Sequence, residues 1–326
     1  MALNVFITGA SGFIGGSISR ALAADHAVLA MSRSASSDEK IRANNASPVR
    51  CDLTNVSAEH LSGCDTVIHV AAHVSPWGSK EEYWESNVVG TEKLLLAAQQ
   101  AGVTRFVHIS TEAVAWHGQH MRNIDESEPY AEKTPYLYAS TKREAEKRVL
   151  AANGQGGLRV VVIRPRWVWG VGDQALVPEI IGMVERGEFI WLDHGKYKTS
   201  TVHIANLVHA VKLAMEKIPS GECYFVTDGE QPTYREFLTA VLGAYHVKLP
   251  DKSLPGWLAR SAAFVIEGVW RMLGIKKQPP MTRHAIALMA CEGTLNDAKA
   301  RRELGYRPVI TVAAGIKQLV ESSSPS

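Results

Sequence analysis

The sequence is short of the features that mark several large classes of protein. It has only four cysteines, which stand far apart and lack the close spacing of zinc ligands: Cys51, Cys64, Cys223 and Cys291. This distribution predicts reduced thiols in a cytoplasmic protein and argues against a metal site. The net charge is only +2, from 35 basic and 33 acidic residues, so the chain also lacks the basic excess of a nucleic-acid-binding protein.

Long uncharged apolar runs are missing as well. The opening MALNVFITGA lacks the basic start and extended apolar stretch of a secretory signal, and instead predicts a first β-strand. The most apolar segment of the second half, residues 254–274, contains Arg260, Glu267 and Arg271, so it falls short of the ~20 charge-free residues that span a bilayer. It predicts a helix packed on a domain. Contact with a membrane surface through its aromatic side chains is the alternative.

What the sequence does contain is a regular alternation of strand-like and helix-like segments. Apolar runs such as LNVFITG, TVIHVAA and LRVVVIRP alternate with helical patterns up to about residue 165. Because strands buried on both faces read in this way, the alternation predicts an α/β fold with a doubly wound parallel sheet, the Rossmann architecture. We predict a dinucleotide-binding core over residues 1–165, with a later strand near 222–227. Residues 166–326 are predicted to form a smaller, mostly helical substrate-binding region interleaved with that core.

The segment TGASGFIGG places three glycines, Gly9, Gly12 and Gly15, between the first strand and the first helix. A tight turn, close approach of a pyrophosphate and close helix packing each require a residue without a side chain. The spacing in this context therefore predicts dinucleotide binding.

The end of the second strand indicates which dinucleotide binds. Ser32 and Arg33 stand there, and no acidic residue occurs before Asp38. A carboxylate at this position accepts the ribose hydroxyls of NAD, whereas a basic side chain accommodates the 2′-phosphate of NADP. The sequence therefore favours NADP over NAD. The alternative is that Arg33 is a solvated turn residue.

Tyr138 and Lys142 lie four residues apart in the segment PYLYASTKREAEK. On a helix this spacing puts both side chains on one face, where a phenol and an ammonium can act as a proton-transfer pair. The unperturbed pKa of a tyrosine, ~10, is too high for a base at neutral pH, but a nearby ammonium together with the positive ring of a nicotinamide cofactor predicts a lower pKa. A surface helix would show the same spacing, so the pair alone does not decide.

Taken together, the glycine loop, the Tyr138/Lys142 pair and the parallel sheet resemble the extended short-chain dehydrogenase/reductase superfamily. Further segments match that family in its order within the first 175 residues: CDLTN, HVAA, NVVGT, HISTEAV and IRPRWVWGVGD. Later segments, including KYKTSTVHIANLVHAVKLA and PPMTRHAIALM, are similar to the 3β-hydroxysteroid dehydrogenase group with its bacterial 2-alkyl-3-oxoalkanoate reductases. The resemblance implies an NAD(P)-dependent enzyme that interconverts a secondary alcohol and a ketone on a bulky hydrophobic substrate.

The resemblance also implies roles for individual residues. Thr111, Tyr138 and Lys142 would be catalytic, with Thr111 preferred over Ser110 for the hydroxyl that holds the substrate oxygen. The residues implied to contact the cofactor are Gly9, Ser11, Gly12, Phe13, Ile14 and Gly15 in the loop, Ser32 and Arg33 after the second strand, Asp52 and Leu53 at the adenine, Ala71 and Ala72 near the nicotinamide riboside, and Ser110, Tyr138, Lys142 and Pro165.

Several tryptophans follow predicted strands, namely Trp77, Trp116, Trp167 and Trp169. At the carboxyl ends of strands they predict an apolar wall for the substrate, with the 254–274 helix as a lid. Packing in the core is the alternative.

Two other functions stay open at this point. A nucleotide-sugar epimerase or dehydratase would use the same cofactor machinery, and a non-catalytic NADP-sensing protein would keep the glycine loop without needing the Tyr138/Lys142 pair. The histidines His73, His108 and His117 are assigned no catalytic role. The substrate, assembly as a homodimer and peripheral membrane contact are left open.

Overall fold

The computed structural model describes residues 2–75, 77–275 and 277–323. The strands are β1 (Asn4–Thr8), β2 (Ala27–Ser32), β3 (Ser47–Arg50), β4 (Thr66–His69), β5 (Arg105–Ile109), β6 (Met121–Ile124), β7 (Arg159–Pro165), β8 (Val168–Trp169), β9 (Trp191–Leu192), β10 (Val202–His203), β11 (Glu222–Val226), β12 (Ser253–Leu254) and β13 (Gly293–Leu295). The α-helices are α1 (Phe13–Leu22), α2 (Ala35–Ala43), α3 (Lys80–Trp84), α4 (Gly90–Gln100), α5 (Leu137–Ala151), α6 (Leu176–Glu185), α7 (Ile204–Lys217), α8 (Tyr234–Gly243), α9 (Gly256–Met272), α10 (Arg283–Met289) and α11 (Val312–Ser323).

Seven strands form one parallel sheet in the order β11–β7–β5–β4–β1–β2–β3. From β1 the chain first adds β2 and β3 on one side of the sheet and then β4, β5, β7 and β11 on the other. The loops after β1 and β4 therefore lead away in opposite directions and leave a crevice between the carboxyl ends of these two strands. In open α/β sheets, ligands bind at such a switch point. The predicted doubly wound α/β fold is confirmed.

Side chains alternate across the sheet and bury both of its faces. Along β1, Val5 and Ile7 belong to one apolar cluster, whereas Phe6 belongs to the other. Successive residues of a strand point to opposite faces, so two layers of helices are needed to cover these side chains. Side chains from helices α1 and α7 pack against the strands in the first cluster, and side chains from α4 and α5 do so in the second.

The later part of the chain covers the carboxyl edge of the sheet. Its short strands make two parallel pairs, β10 with β8 and β12 with β9, and β13 pairs with the earlier strand β6. A third apolar cluster, which includes Trp169, Val177, Phe237 and Leu319, holds α6, α8 and α11 together. Among the described residues, no helix is long and apolar enough to cross a membrane.

Candidate active site

The glycine loop has the shape that a dinucleotide requires. Gly9 adopts a left-handed backbone with a φ of +72°. A Cβ at Gly15 would lie 2.3 Å from the carbonyl oxygen of Gly9, so any side chain there would force the loop and helix α1 apart. Gly12 begins the helix without a side-chain cap, which leaves the first-turn N–H groups of Phe13 and Ile14 for a ligand. An anionic pyrophosphate fits this helix N-terminus.

The end of β2 carries both a cation and a carboxylate. Arg33 is exposed to solvent, and the buried hydroxyl of Ser32 donates to Asp38 Oδ1 at 2.5 Å. Asp38 also forms an ion pair with Arg50. The structure therefore places Asp38 beside Ser32, although the two residues are six positions apart in the chain.

The residues implied to contact the adenine and the riboside lie along the same edge. Asp52 accepts hydrogen bonds from the N–H groups of Thr54 at 2.7 Å and Asn55 at 3.2 Å. The Thr54 hydroxyl is the main cause of a lowered pKa at Asp52, and the Arg33 charge contributes. Leu53 packs closely against the start of α4. A Cβ added at Gly90 would lie 2.8 Å from the Cβ of Leu53.

Across the crevice, β4 and β7 bring further predicted contacts to the edge of the sheet. The N–H of Ala71 donates to the Thr8 hydroxyl at 3.0 Å, which fixes the loop containing Ala72 next to Gly9. Pro165 is buried at the end of β7.

Thr111 and Tyr138 meet where β5 and α5 approach each other. Thr111 lies two residues after β5 and caps the short 3-10 helix that follows. Its Oγ1 accepts a hydrogen bond from the N–H of Ala113 at 3.2 Å. Tyr138 stands in the first turn of α5. Burial raises the pKa of its phenol and the Glu112 charge adds to this rise, while contact with the Thr111 hydroxyl opposes it.

Lys142 lies one turn further along α5 but turns its ammonium toward the sheet. Its Nζ donates to the carbonyl oxygen of Ile109 at 2.8 Å and lies 3.3 Å from Nε2 of His108. Burial lowers the pKa of Lys142 to about 8. Burial is the largest influence on the pKa of Tyr138 and raises it in this structure. That the Lys142 charge, together with the positive ring of a bound nicotinamide cofactor, lowers this pKa stays a prediction.

Ser110, the neighbouring hydroxyl, is engaged elsewhere. It donates to the fully buried carboxylate of Glu146, which also pairs with Arg164 and accepts from Tyr130 at 2.9 Å. This buried network ties α5 to β5 and β7. The Thr111 hydroxyl donates to Glu112 Oε2 at 2.7 Å. Of the two candidate hydroxyls, it is the one close enough to Tyr138 to influence the pKa of the phenol.

A cavity of about 270 Å³ opens beside Tyr138. It is lined by Val74, Ser75, Trp77, Gly78, Tyr83, Pro135, Tyr136, Leu137, Tyr138, Glu267, Arg271, Arg283 and His284. Loops at the carboxyl edge of the sheet form one wall and helices α9 and α10 form the other. The predicted lid helix therefore does contribute to the site.

The tryptophans divide between the two roles considered from the sequence. Trp77 lines the cavity, and Trp116 stacks behind the lining residue Tyr136 with ring centroids 4.6 Å apart. Trp169 is fully buried in the third cluster, and its Nε1 donates to Asp228 at 2.8 Å. Trp167 packs against Tyr234 in the same region. The prediction of an apolar wall is thus wrong for Trp169, which is a core residue.

Sequence reasoning assigned His108 no role and missed other residues next to the site. His108 contacts Lys142, and Glu112, which was missed, forms a buried ion pair with Arg166 directly beside Thr111. His284 lies in the cavity wall. A lone histidine or an isolated charge carries no spacing signal, so only the position of Glu112 next to Thr111 in the chain could have drawn attention to it.

The chain matches the model of the 3-beta hydroxysteroid dehydrogenase/isomerase family over residues 6–256 and belongs to that family. It is therefore an oxidoreductase of the extended short-chain dehydrogenase/reductase type, a dehydrogenase or reductase acting on CH–OH and keto groups.

Two curated relatives match along nearly their whole length. The chain is 40% identical over 320 residues to a 4-hydroxy-2-methyl-3-oxo-4-farnesyl-3,4-dihydroquinoline-1-oxide ketoreductase of Stigmatella aurantiaca, covering 97% of this chain and 96% of the relative. It is 32% identical over 332 residues to a 2-alkyl-3-oxoalkanoate reductase of Stenotrophomonas maltophilia, covering 99% and 100%.

A solved structure supports the fold. The UDP-glucuronic acid 4-epimerase from Bacillus cereus in complex with NAD superposes with a TM-score of 0.75, covering 99% of this chain and 100% of the epimerase. Sequence identity is only 18%, so this likeness speaks for the shared fold and not for a shared substrate.

Proposed function

We propose that the protein is an NADP-dependent ketoreductase that converts a ketone of a bulky hydrophobic molecule into a secondary alcohol. The observation that carries this proposal is the position of Tyr138, which lines a partly apolar cavity and lies close to the Thr111 hydroxyl, with Lys142 one turn further along the same helix. The named relatives, a ketoreductase and a 2-alkyl-3-oxoalkanoate reductase, support the same chemistry.

The proposed roles follow from what each group can do with a proton. Because burial and Glu112 raise the pKa of Tyr138, its phenol is protonated at neutral pH and can donate to a carbonyl oxygen. The Thr111 hydroxyl lies beside the phenol and would fix that oxygen between the two groups. The Lys142 ammonium supplies a positive charge one turn below and would stabilise the phenolate left after donation.

The cofactor proposal rests on the loop and the end of β2. Gly9, Gly12 and Gly15 form a cradle at the start of α1, and a nicotinamide dinucleotide bound there would supply the hydride. The exposed guanidinium of Arg33 supports NADP, because it can pair with a 2′-phosphate. Asp38 is already occupied by Ser32 and Arg50, which leaves it poorly placed to take the ribose hydroxyls of NAD.

The surroundings of the site suggest where the protein works. We infer that helix α9 touches a membrane surface, since its outer face is apolar while its inner face lines the cavity. A homodimer that uses the same face is the alternative. The four cysteines are free thiols, which fits the reducing cytoplasm predicted from the sequence.

A spectrophotometric screen tests the function. Purified protein would be assayed with NADPH and NADH against 3-oxo esters of increasing chain length, 3-oxosteroids and a UDP-sugar. We expect NADPH-dependent reduction whose efficiency rises with chain length, because each buried methylene adds up to ~0.8 kcal/mol of binding. Equal efficiency across the series would contradict the hydrophobic substrate. Conversion of the UDP-sugar instead would favour an epimerase.

A further inference from the structure

The cavity wall formed by α9 and α10 carries more positive than negative charge. Among the lining residues are two guanidinium groups, Arg271 and Arg283, and one carboxylate, Glu267. The Glu267 carboxylate is already engaged, because it accepts from the backbone N–H of Arg283 at 2.6 Å and lies 4.0 Å from the Arg271 guanidinium. One cationic side chain of the wall is therefore left without a counter-charge.

That side chain is Arg283. Within the described part of the chain, its guanidinium has neither a hydrogen bond nor an acidic partner, and it stacks over the Phe264 ring at 5.1 Å. The side chain is half-buried, so part of its hydration is lost. A guanidinium favours a planar oxyanion, to which it can donate two parallel hydrogen bonds.

His284, the next residue, also lines the cavity, and its ring carries an unsatisfied polar atom. Its imidazole lies 6.3 Å from the Tyr138 ring and 5.2 Å from the Tyr136 ring, measured between centroids. The Nδ1 atom is buried and finds no partner among the described residues. Burial and the Arg166 charge lower the pKa of His284 to about 4, so at neutral pH the ring is uncharged and keeps one donor and one acceptor.

A buried polar atom without a partner is costly, and a half-buried cation without a counter-charge is too. We propose that Arg283 and His284 form a subsite that binds a carboxylate of the substrate, a few bonds away from the carbonyl held by Thr111 and Tyr138. This inference rests on the proposed function, and it assigns the substrate to the class of hydrophobic oxo acids. The 6.3 Å between the His284 and Tyr138 rings allows one small molecule to contact both residues.

Binding of an alcohol product to the NADPH-loaded protein tests the subsite, because the reduced cofactor prevents oxidation of the alcohol. Calorimetry would compare 3-hydroxydecanoate with its uncharged methyl ester, which differ at the carboxylate alone. We expect the wild type to bind the acid about tenfold to a hundredfold more tightly, as hydrogen bonds to a charged group allow. In Arg283→Gln this preference should fall to near one.

A matched control is Arg186→Gln, which removes a guanidinium that is exposed, paired with Glu188 and outside the cavity wall. This variant should keep the full preference for the acid. Equal affinities for acid and ester in the wild type, no binding of the acid, or a preference that survives in Arg283→Gln would each overturn the inference.

His284 is tested by two substitutions with different chemistry. His284→Phe keeps an aromatic ring edge-on against Trp116 and Tyr136 but removes both nitrogens, and we expect it to lose several-fold in affinity for the acid and little for the ester. His284→Asn retains a polar atom and should recover part of the loss. Equal weakening of acid and ester in both variants, at an unchanged melting temperature, would remove His284 from the subsite.

Failure of the subsite is distinguishable from failure of the proposed function. Oxidation of the methyl ester by the wild type with NADP⁺ reports on the catalytic residues without using a carboxylate. An active enzyme that does not prefer the acid would refute only the subsite. A protein that binds the acid through Arg283 but oxidises neither alcohol would refute the proposed ketoreductase function on such substrates.

Discussion

Burial raises the pKa of the Tyr138 phenol and lowers that of the Lys142 ammonium to about 8. Both shifts follow from one physical cause, because removal from water disfavours the charged form of either group. The phenol is thereby kept as a proton donor, and the ammonium, although still mostly charged at neutral pH, loses its charge at a much lower pH than an exposed lysine does. The burial of the site therefore sets the pKa of both Tyr138 and Lys142.

Removal of the Tyr138 hydroxyl tests its role as the proton donor. We expect Tyr138→Phe to abolish turnover, with kcat reduced at least about a hundredfold, while the affinity for NADPH stays nearly unchanged. Steady-state kinetics and a fluorescence titration with NADPH measure the two quantities. Tyr245→Phe, which deletes a hydroxyl outside the cavity wall, should behave as wild type. Loss of cofactor binding in Tyr138→Phe would show a structural role instead.

The pKa of Lys142 predicts how activity depends on pH. The ammonium carries its charge below about pH 8 and loses it above, so kcat/KM for reduction should decline as pH rises through that value. Lys142→Ala should have low activity at every pH and weaker cofactor binding. Lys147→Ala, on the exposed face of the same helix, should retain the wild-type profile. An unchanged alkaline decline in residual Lys142→Ala activity would assign the titration to another group.

Arg33 decides between the two nicotinamide dinucleotides at the end of β2. We expect Arg33→Ala to raise the KM for NADPH about tenfold or more and to change the KM for NADH little, because only NADPH carries the 2′-phosphate. Arg42→Ala removes a nearby charge near the far end of α2 and serves as the control. If the wild type prefers NADH, the assignment of Arg33 is incorrect.

At the scale of secondary-structure elements, the carboxyl ends of β1, β4 and β5 bring separate loops to one edge of the sheet. Helix α5 stands beside these loops and is tied to the sheet by the buried Glu146–Arg164 ion pair. Breaking such a pair leaves an uncompensated buried charge, so it keeps the helix in one position. The distance between Tyr138 and Thr111 depends on this attachment.

The loops after the strands give their tryptophans opposite roles, which two substitutions separate. Trp77→Ala removes part of the cavity wall and should flatten the rise of kcat/KM with substrate chain length. Trp169→Ala empties a fully buried site and should cost about 3–5 kcal/mol in the free energy of unfolding. Denaturant melts and the chain-length series measure both effects. A wild-type melt for Trp169→Ala would contradict its place in the core.

At the scale of the whole molecule, the second half of the chain completes the site by closing over the sheet. Strand β13 pairs with β6, and the thiol of Cys291 donates to the carbonyl oxygen of Gly118 at 3.1 Å. These contacts between distant parts of the chain hold α10, with Arg283 and His284, opposite Tyr138. The outer face of α9 is then left in solvent, with Trp257 71%, Phe264 63% and Met272 79% exposed.

We expect this outer face to bind lipid bilayers, since an apolar stripe on an amphipathic helix partitions into the headgroup region. Cosedimentation with vesicles of phosphatidylcholine and phosphatidylglycerol measures it. Substituting Trp257→Ser and Met272→Ser together should reduce the bound fraction several-fold. Val309→Ser, at an exposed apolar residue outside α9, is the control. If the double variant instead dissociates a dimer on a sizing column and vesicles bind neither protein, the face is an interface between two copies.

The sequence by itself determined the features that depend on local pattern. Alternating apolar runs predicted the parallel sheet, and the glycine spacing predicted the turn in which Gly9 has a positive φ and Gly15 has no room for a side chain. The spacing of Tyr138 and Lys142 predicted that both stand on α5 one turn apart. These signals are readable because they repeat at the period of a strand or helix, or because only glycine meets the local geometry.

Only the tertiary structure decided what surrounds each of those residues. It turned Ser110 toward Glu146, buried Trp169, placed His108 against Lys142, and brought His284 to the cavity from more than a hundred residues further along the chain. Burial and charge are properties of neighbours that come from distant segments, and no local pattern encodes them. The burial that raises the pKa of Tyr138 in this structure depends on this packing.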